Sequence, residues 1–248
     1  MKWRQLPWPG PMLILTVLLL QTALATTLTP DDDWVAAIQA GGTVVLGPGE
    51  YSTDRVIEVT RSVTVTGAGH AETILLLESD GGDYREQFAV FAEEAVEVRA
   101  IISSLTFVHG SNHVSDLISV NGMAHVELRD VGVGLAFDDL QEMLEGNGNW
   151  WGCGVLVTPG ASLVVEAGYF YGNVHGICAV GAAQVSVAAS SFVENVLSGL
   201  HVEDTPVTVD ASHFEANNVG IEIYGTASRS LTGNTFAEQS FQDIIEEE

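Results

Sequence analysis

Residues 154–175, GVLVTPGASLVVEAGYFYGNVH, and residues 176–198, GICAVGAAQVSVAASSFVENVLS, are successive copies of the repeat that decides the fold. In this repeat a phenylalanine, a branched aliphatic residue and a side-chain amide each return every 22 residues. A fixed period of roughly 20–50 residues is typical of a solenoid. The recurring residues are Phe170, Phe192, Phe214 and Phe236; Val165, Val187, Val209 and Leu231; and Asn173, Asn195, Asn217 and Gln239.

The strand content of each copy distinguishes this repeat from a leucine-rich repeat of similar length. Each copy opens on a glycine followed by an alternating strand, such as Gly199-Leu-His-Val202, and contains two or three β-rich segments divided by Gly, Asn and Ser. Leucine is scarce, and no helical stretch separates the strands. Coils in register stack about 4.8 Å apart. We therefore predict an internal stack of phenylalanines and a ladder of asparagines at a turn.

This pattern resembles the right-handed parallel β-helix proteins of the pectin-lyase-like superfamily. Residues 34–51, WVAAIQAGGTVVLGPGEY, and 63–69, VTVTGAG, look like the opening coils of that superfamily. The resemblance implies an all-β, single-stranded right-handed parallel β-helix with a short N-terminal capping helix, and it specifies architecture far more than activity. We assign the cap to residues 31–42, irregular coils to 43–153, regular coils to 154–239 and an acidic tail to 240–248.

The N-terminal segment has the pattern of a secretory signal peptide. A basic start at residues 1–4 precedes an apolar run at 12–20 and the cleavage pattern Ala23-Leu24-Ala25. An uncleaved membrane anchor is the alternative, but an apolar core of about nine residues is short for a bilayer. We expect cleavage after residue 25, which leaves a β-helix domain at 26–248 in the periplasm, in the medium or on the cell surface. No further apolar run of transmembrane length follows.

The charge of the chain narrows its partners. Its formal net charge is −25, and Lys2 is the only lysine. Nucleic acid is excluded as a partner, because phosphate binding depends on basic side chains. The same field repels polyanionic polysaccharides unless a cation screens them. Acidity of this degree would also serve solubility alone.

Insertions interrupt the earlier coils at one position. Carrying the register backwards from the regular repeats places most of the added length just before the first strand of a coil, at residues 78–86, 108–116 and 134–152. Equivalent turns of stacked coils lie above one another, so we expect the insertions on one side of the solenoid, where repeat proteins commonly bind ligands. The coils open near Gln87, Leu117, Gly154, Gly176, Gly199 and Gly220.

The insertions contain residue types that suit a glycan ligand. Trp150 and Trp151 would offer flat faces to a sugar ring, although one of them could instead pin its loop to the coil below. Glu142, His113 and Asn112 would bond sugar hydroxyls.

Catalysis is the alternative use of these segments. Asp138 and Asp139 resemble the adjacent aspartates of β-helical polygalacturonases, but the Asn-Thr-Asp, Gly-His-Gly and Arg-Ile-Lys elements of that family are absent. A cation-assisted lyase would need a basic residue, for which Arg85, Arg99 and Arg129 are the candidates. Counting residues places Arg99 and Arg129 at equivalent positions, in a column that continues to a glutamate of the next coil.

Metal ligands and a disulfide are further possibilities. Asp80, Asp83 and Glu86 offer oxygen ligands for calcium, without the spacing of a known calcium loop. A zinc site is not indicated, because we place His175 in a turn, His201 points outward, and His109 and His113 share one loop without a third ligand. The only cysteines are Cys153 and Cys178; they suit one disulfide, and they lie about three residues out of register, which leaves the bond open.

The sequence therefore favours an exported β-helix that binds a polysaccharide or other glycan through its insertions. A polysaccharide hydrolase or lyase is the alternative, and a structural or adhesive surface protein is a third possibility. Neither the glycan nor the oligomeric state follows from the sequence.

Overall fold

A computed structural model of the chain describes residues 26–78, 86–93, 96–110, 116–135 and 152–247. One helix, α1, spans Trp34–Ala40. It begins after Asp33, whose carboxylate accepts a hydrogen bond from the backbone N–H of Ala36 at 3.2 Å, as expected of an N-cap. The apolar face of α1 is buried against the first strands. A short N-terminal capping helix is thus present where the sequence predicts one.

The strands are short and follow one another without further helices in the described residues. They are β1 Thr27–Leu28, β2 Gly42–Leu46, β3 Gly49–Thr53, β4 Ile57–Val59, β5 Val63–Thr66, β6 Thr73–Leu77, β7 Glu86–Ala92, β8 Arg99–His109, β9 Asp116–Gly122, β10 His125–Leu135, β11 Cys153–Val157, β12 Ser162–Glu166, β13 Tyr169–Tyr171, β14 His175–Val180, β15 Gln184–Ala188, β16 Ser191–Val193, β17 Ser198–Glu203, β18 Val207–Asp210, β19 His213–Glu215, β20 Val219–Tyr224, β21 Arg229–Thr232, β22 Thr235–Ala237 and β23 Gln242–Glu247.

The described strands pair in parallel to form two sheets. The larger sheet has 15 strands and the smaller has 8. Each regular coil contributes one strand to the smaller sheet and two to the larger: β11, β12 and β13 make one coil, and each pairs with the equivalent strand of the next. The long strands β8 and β10 each run through both ladders of the larger sheet. The chain is a parallel β-helix, as the repeat predicts.

The predicted phenylalanine stack lies inside the coils. Phe170, Phe192 and Phe214 are fully buried, and consecutive ring centroids along the stack to Phe236 are 4.7, 4.8 and 5.2 Å apart. The recurring aliphatic residues also pair in register: Val165 with Val187, Val187 with Val209, and Val209 with Leu231. Burial of these side chains is the main favourable contribution to the free energy of folding.

The predicted asparagine ladder runs beside the stack at a turn. The side-chain oxygen of Asn195 accepts hydrogen bonds from the backbone N–H and the side-chain amide of Asn173, at 3.2 and 3.1 Å. Asn217 repeats this one coil later, at 3.0 and 2.8 Å. Since these amides are buried, their mutual bonds satisfy groups that would otherwise be costly to bury.

The predicted openings of the coils agree with the observed register. Ile118 pairs with both Phe88 and Val155, so Gln87, Leu117 and Gly154 occupy equivalent places. Residues at the two ends of the three insertions also stack: Leu77, His109 and Leu135 pair where the insertions start. On the other side Glu86 pairs with Asp116, and the Asp116 carboxylate accepts from the backbone N–H of Cys153 at 2.8 Å.

Candidate functional site

An open groove of about 610 Å³ lies on the outer face of the larger sheet. We call it the tyrosine groove. Residues of β8, β10, β13 and β16 line it, together with residues of the turns between them. The strand β10, which forms its floor, ends at Leu135, at the start of the longest insertion. The lining residues are His70, Thr106, Val108, Asp130, Val131, Gly132, Val133, Gly134, Ala167, Gly168, Tyr169, Tyr171, Ala189 and Ser191.

Two tyrosines stand side by side along one wall of this groove. Tyr169 and Tyr171 flank Phe170 in β13, and because Phe170 points into the core, both tyrosines point outward. Their rings are parallel within 4°, with centroids 6.3 Å apart. Tyr169 is 47% exposed. Tyr169 pairs with Gly132 of the preceding coil and Tyr171 pairs with Gly134. The aromatic wall therefore rises beside a strip of bare backbone.

Gly132 is required for the shape of this floor. A Cβ atom at that position would lie 2.4 Å from Oγ1 of Thr106, so any larger residue would displace the threonine. The Thr106 hydroxyl donates a hydrogen bond to the backbone carbonyl of His70 at 2.7 Å and thereby ties the floor to the opposite rim.

The opposite rim has a polar pair. Nδ1 of His70 lies 3.0 Å from Oδ1 of Asp130, and both side chains are more than half exposed. Asp130 adopts a left-handed backbone with φ of 53°, a conformation that aspartate tolerates better than most residues. At the tyrosine wall, the hydroxyl of Tyr171 bonds the carboxylate of Glu194, and this hydrogen bond raises the pKa of Tyr171. The groove thus combines flat aromatic faces with hydrogen-bonding groups.

Most of the residues predicted to bind or cleave a glycan lie outside the described residues: Asn112, His113, Asp138, Asp139, Glu142, Trp150 and Trp151. The calcium candidates Asp80 and Asp83 also lie outside them. Glu86 is described, and its carboxylate accepts hydrogen bonds from Ser119 Oγ at 3.0 Å and Asn121 Nδ2 at 3.4 Å.

The predicted column of Arg99 and Arg129 is wrong. Arg99 pairs with His125, whereas Arg129 pairs with Ser103 of the preceding coil and Glu166 of the next. Both guanidinium groups bond the buried carboxylate of Glu127. Burial alone would raise the pKa of Glu127, but hydrogen bonds from Arg99 and His125, together with the charges of both arginines, lower it. The two arginines therefore neutralise a buried acid, a role that disfavours them as lyase bases.

A second group of polar residues lies on the outer face of the smaller sheet. Cys153 and Cys178 form a disulfide there, with Cα atoms 5.9 Å apart. Cys153 pairs in register with His175, so the bond reaches diagonally to a residue three places further along the neighbouring strand. The same diagonal step relates three pairs: Cys153 with Cys178, His175 with His201, and Ser198 with Glu222.

His175, His201 and Glu222, which we call the histidine cluster, are brought together by this step. One potential ligand atom from each lies within 4.8 Å of the others. The ring centroids of His175 and His201 are 5.2 Å apart, and Nδ1 of His201 lies 2.9 Å from Oε2 of Glu222. Nδ1 of His175 lies 2.7 Å from the hydroxyl oxygen of Ser198.

Burial controls the charges in the histidine cluster. Desolvation, reinforced by the neighbouring His201, lowers the pKa of His175 to about 4, so this imidazole is neutral at physiological pH. Burial by itself would raise the pKa of Glu222, but hydrogen bonds and charge from its neighbours, His201 foremost, lower it. A neutral imidazole and a carboxylate are the forms in which these groups bind metal ions.

The sequence contained a signal for this cluster that we did not use. Cys178, His201 and Glu222 occupy the same place in successive copies of the opening strand, two residues after its glycine. His175 immediately precedes such a glycine, and the prediction that it lies in a turn is wrong: it is the first residue of β14 and is 7% exposed.

Comparison with known proteins bears on the fold. No protein-family model matches the chain, and no curated protein matches it significantly. Among solved structures, the tailspike protein of Acinetobacter baumannii phage AM24 is 11% identical with a TM-score of 0.43, over 88% of this chain and 47% of that protein. A protein of Geobacillus virus E2 is 16% identical with a TM-score of 0.40, over 80% of this chain and 34% of that one. Pectin methylesterase of Aspergillus niger is 10% identical with a TM-score of 0.40, over 87% and 89% of the two chains.

The chain spans about a third to a half of the two viral proteins that it matches. At these identities and TM-scores the matches carry no argument about superfamily or activity, and the predicted parallel β-helix is confirmed by the strand pairing of the chain itself. Among the described residues, no helix is long and apolar enough to cross a membrane.

Proposed function

We propose that this protein binds a glycan in the tyrosine groove. The observation that carries the proposal is the pair of parallel tyrosine rings, Tyr169 and Tyr171, beside a floor opened by Gly132 and Gly134. Sugar rings present apolar C–H faces that pack on aromatic side chains, and their hydroxyls need a few well-placed polar partners. The groove offers both features along a length of several strands.

The polar partners lie where a sugar packed against the tyrosines would need them. The His70 imidazole and the Asp130 carboxylate form one exposed rim, and Ser191 pairs with Tyr169 on the other side. Asp130 accepts and His70 either donates or accepts, so together they match a hydroxyl group, which does both. Gly134, at the start of the long insertion, lines this groove, and Trp150 and Trp151 are proposed to extend it.

Binding without cleavage is the activity that this groove supports best. Hydrolysis of a glycosidic bond uses two carboxyl groups about 5–10 Å apart. Within the described lining of the groove, Asp130 has the only carboxylate, and it is paired with His70; the carboxylate of Glu194, beside the wall, is bonded to the Tyr171 hydroxyl. Carboxylates paired in this way can orient a sugar, and this supports binding rather than cleavage in the described part of the groove.

The proposed ligand is a neutral glycan outside the cytoplasm. A net charge of −25 disfavours polyanionic polymers in the absence of a screening cation. Export is proposed from the predicted signal peptide at residues 1–25. The disulfide between Cys153 and Cys178 supports it, because such bonds persist in oxidising compartments.

A glycan array followed by calorimetry tests the proposal. The wild-type protein is screened against neutral and acidic glycans, and the best ligand is titrated into wild type and Tyr169→Ala. We expect about a tenfold rise in Kd for Tyr169→Ala, equivalent to ~1.4 kcal/mol of lost stacking. Trp150→Ala and Trp151→Ala test the proposed extension of the groove in the same assay.

Phe91→Ala is the matched control. Phe91 is 45% exposed, close to the 47% of Tyr169, but it lies on β7 of the smaller sheet. Its removal should leave Kd unchanged. The proposal fails if no glycan binds, or if Tyr169→Ala and Phe91→Ala behave alike. If the wild type released reducing sugar or unsaturated uronide, the protein would be an enzyme and the proposal of binding without cleavage would be wrong.

A further inference from the structure

The histidine cluster forms because of a regular feature of the smaller sheet. On its outer face, the first residue of one strand reaches diagonally to the fourth residue of the next. This step forms the disulfide between Cys153 and Cys178, and the Ser119 hydroxyl bonds Glu86 across the same step at 3.0 Å. Applied to the following coils, it brings two imidazoles and a carboxylate together.

The hydrogen bonds of the cluster orient His175 as a ligand. The hydroxyl oxygen of Ser198 lies 2.7 Å from Nδ1 of His175. We assign Nδ1–H as the donor of this hydrogen bond and the hydroxyl oxygen as its acceptor. Nε2 of His175 then carries the lone pair. A hydrogen bond from the distal nitrogen is the usual second interaction of a metal-binding histidine.

The distances suit one small ion. Two ligands 2.0–2.1 Å from a tetrahedral zinc lie about 3.4 Å apart. Nδ1 of His201 and Oε2 of Glu222 are 2.9 Å apart. If zinc replaced the proton that they share, the distance between these two atoms would have to increase by about half an ångström. One potential ligand atom of each of the three residues lies within 4.8 Å of the others, and small side-chain rotations would bring these atoms to the distances that zinc requires.

The site is also reachable from solvent. The side chains of His201 and Glu222 are 23% and 15% exposed, whereas His175 is buried behind them. An ion bound by all three would have protein on one side and water on the other. Three protein ligands with one open position are the arrangement of zinc sites that keep a bound water.

We propose that His175, His201 and Glu222 bind a single zinc ion, with Ser198 as the residue that positions His175. Imidazole and carboxylate ligands together select zinc over calcium or magnesium, which bind oxygen ligands alone. The site lies on the smaller sheet, so it is separate from the tyrosine groove and independent of the proposed glycan ligand.

Zinc titration of the whole protein, produced without a histidine tag and stripped with a chelator, tests the proposal. We expect one zinc ion per chain by calorimetry and by elemental analysis, and an increase in Tm on adding zinc chloride. His201→Ala and Glu222→Gln should abolish this site. Ser198→Ala should weaken it about 10- to 100-fold, the effect of losing the hydrogen bond that orients a ligand.

His213→Ala is the matched control, because His213 is also bonded to a hydroxyl and a glutamate, Thr235 at 2.8 Å and Glu215 at 3.2 Å. It should bind zinc like the wild type. Thermal unfolding in chelator shows whether each variant is folded, and the visible absorption bands of Co²⁺ bound to the wild type report the coordination geometry of the ion independently of any variant. The proposal is overturned if the wild type binds no zinc in a saturable 1:1 manner. It is equally overturned if His201→Ala and His213→Ala bind zinc alike.

Discussion

Asn195→Asp tests the asparagine ladder with almost no change in side-chain shape. The Asn195 oxygen accepts two hydrogen bonds from Asn173, and aspartate keeps that role. The Asn195 amide donates to the Phe170 carbonyl at 3.2 Å and to the Asn217 oxygen at 2.8 Å. In the variant, an acceptor oxygen faces both of those acceptors in a fully buried turn.

The expected cost at pH 7 is about 3–5 kcal/mol. The Phe170 carbonyl loses its side-chain donor, and the Asn217 oxygen keeps only the backbone N–H of Asn195. A buried acceptor left without its donor costs about 1–3 kcal/mol, and the unpaired buried charge adds to this. Burial and the facing oxygens raise the pKa of the new carboxyl above its unfolded value of about 3.9. The folded state then binds more protons than the unfolded state, so the stability of the variant falls as pH rises above about 4.

Urea unfolding of the variant and the wild type at pH 7 and at pH 4 measures the loss in free energy of unfolding at each pH. The deficit of Asn195→Asp should shrink by about 1 kcal/mol at pH 4 if the pKa is raised by one unit, because about half of the unfolded carboxyls are still ionised at that pH. Gln239→Glu is the control, since Gln239 also donates to two carbonyls, at 2.7 and 2.9 Å, but is only partly buried. Water can solvate its carboxylate, so the cost should be about 1 kcal/mol. Equal costs for the two variants, or none for Asn195→Asp, would refute a stabilising buried ladder.

Three further predictions concern the scaffold. Phe192→Ala, which removes a fully buried ring from the middle of the stack, should cost about 3–5 kcal/mol in urea unfolding, and Phe236→Ala, at the partly exposed end, about half of that. Glu127→Gln should lower Tm at pH 7 by an amount equivalent to about 1–3 kcal/mol. Because the pKa of Glu127 is lowered, the wild-type advantage exists above the ordinary value of 4.5 and is lost as pH falls below it, so the two Tm curves should converge in acid. Replacing Cys153 and Cys178 by serine opens a loop between residues 25 apart and should cost about 3.5 kcal/mol, and a reducing agent should lower the Tm of the wild type but not of the variant.

The regular coils could be predicted from the sequence because their repeat is exact in register. Phe170, Phe192 and Phe214 recur at one interval, and stacking at a fixed interval is what parallel pairing of equivalent strands produces. The ladder of amides follows from the same interval. Neither inference depends on the conformation of a single turn, and both are confirmed.

The register of the earlier coils could not be predicted as well. In the regular coils eight residues separate an inward residue of the first strand from one of the second, as in Val157 and Val165, and the same spacing holds for Val120 and Leu128. In the preceding coil, however, the residue that stacks on Val120 is Val90 and the residue that stacks on Leu128 is Ile102. These two are twelve residues apart, because the turn between their strands is four residues longer. A shift of four residues preserves the alternation of inward and outward side chains. Hydrophobic alternation therefore could not detect the error, and it placed Arg99 beside Arg129.

At the histidine cluster the alternation itself breaks. Gly176 and Ile177 both point into the core: a Cβ on Gly176 would lie 2.7 Å from the ring of Phe192, and Ile177 is fully buried. Strict alternation from Ile177 would turn His175 inward. Because Gly176 and Ile177 both point inward, the residue before the glycine lies on the outer face instead, and His175 can therefore meet His201. A Gly176→Ala variant would press a methyl group against the phenylalanine stack. It should therefore disturb both the stack and the orientation of His175, because one break in the alternation shapes the core on one side of the strand and the cluster on the other.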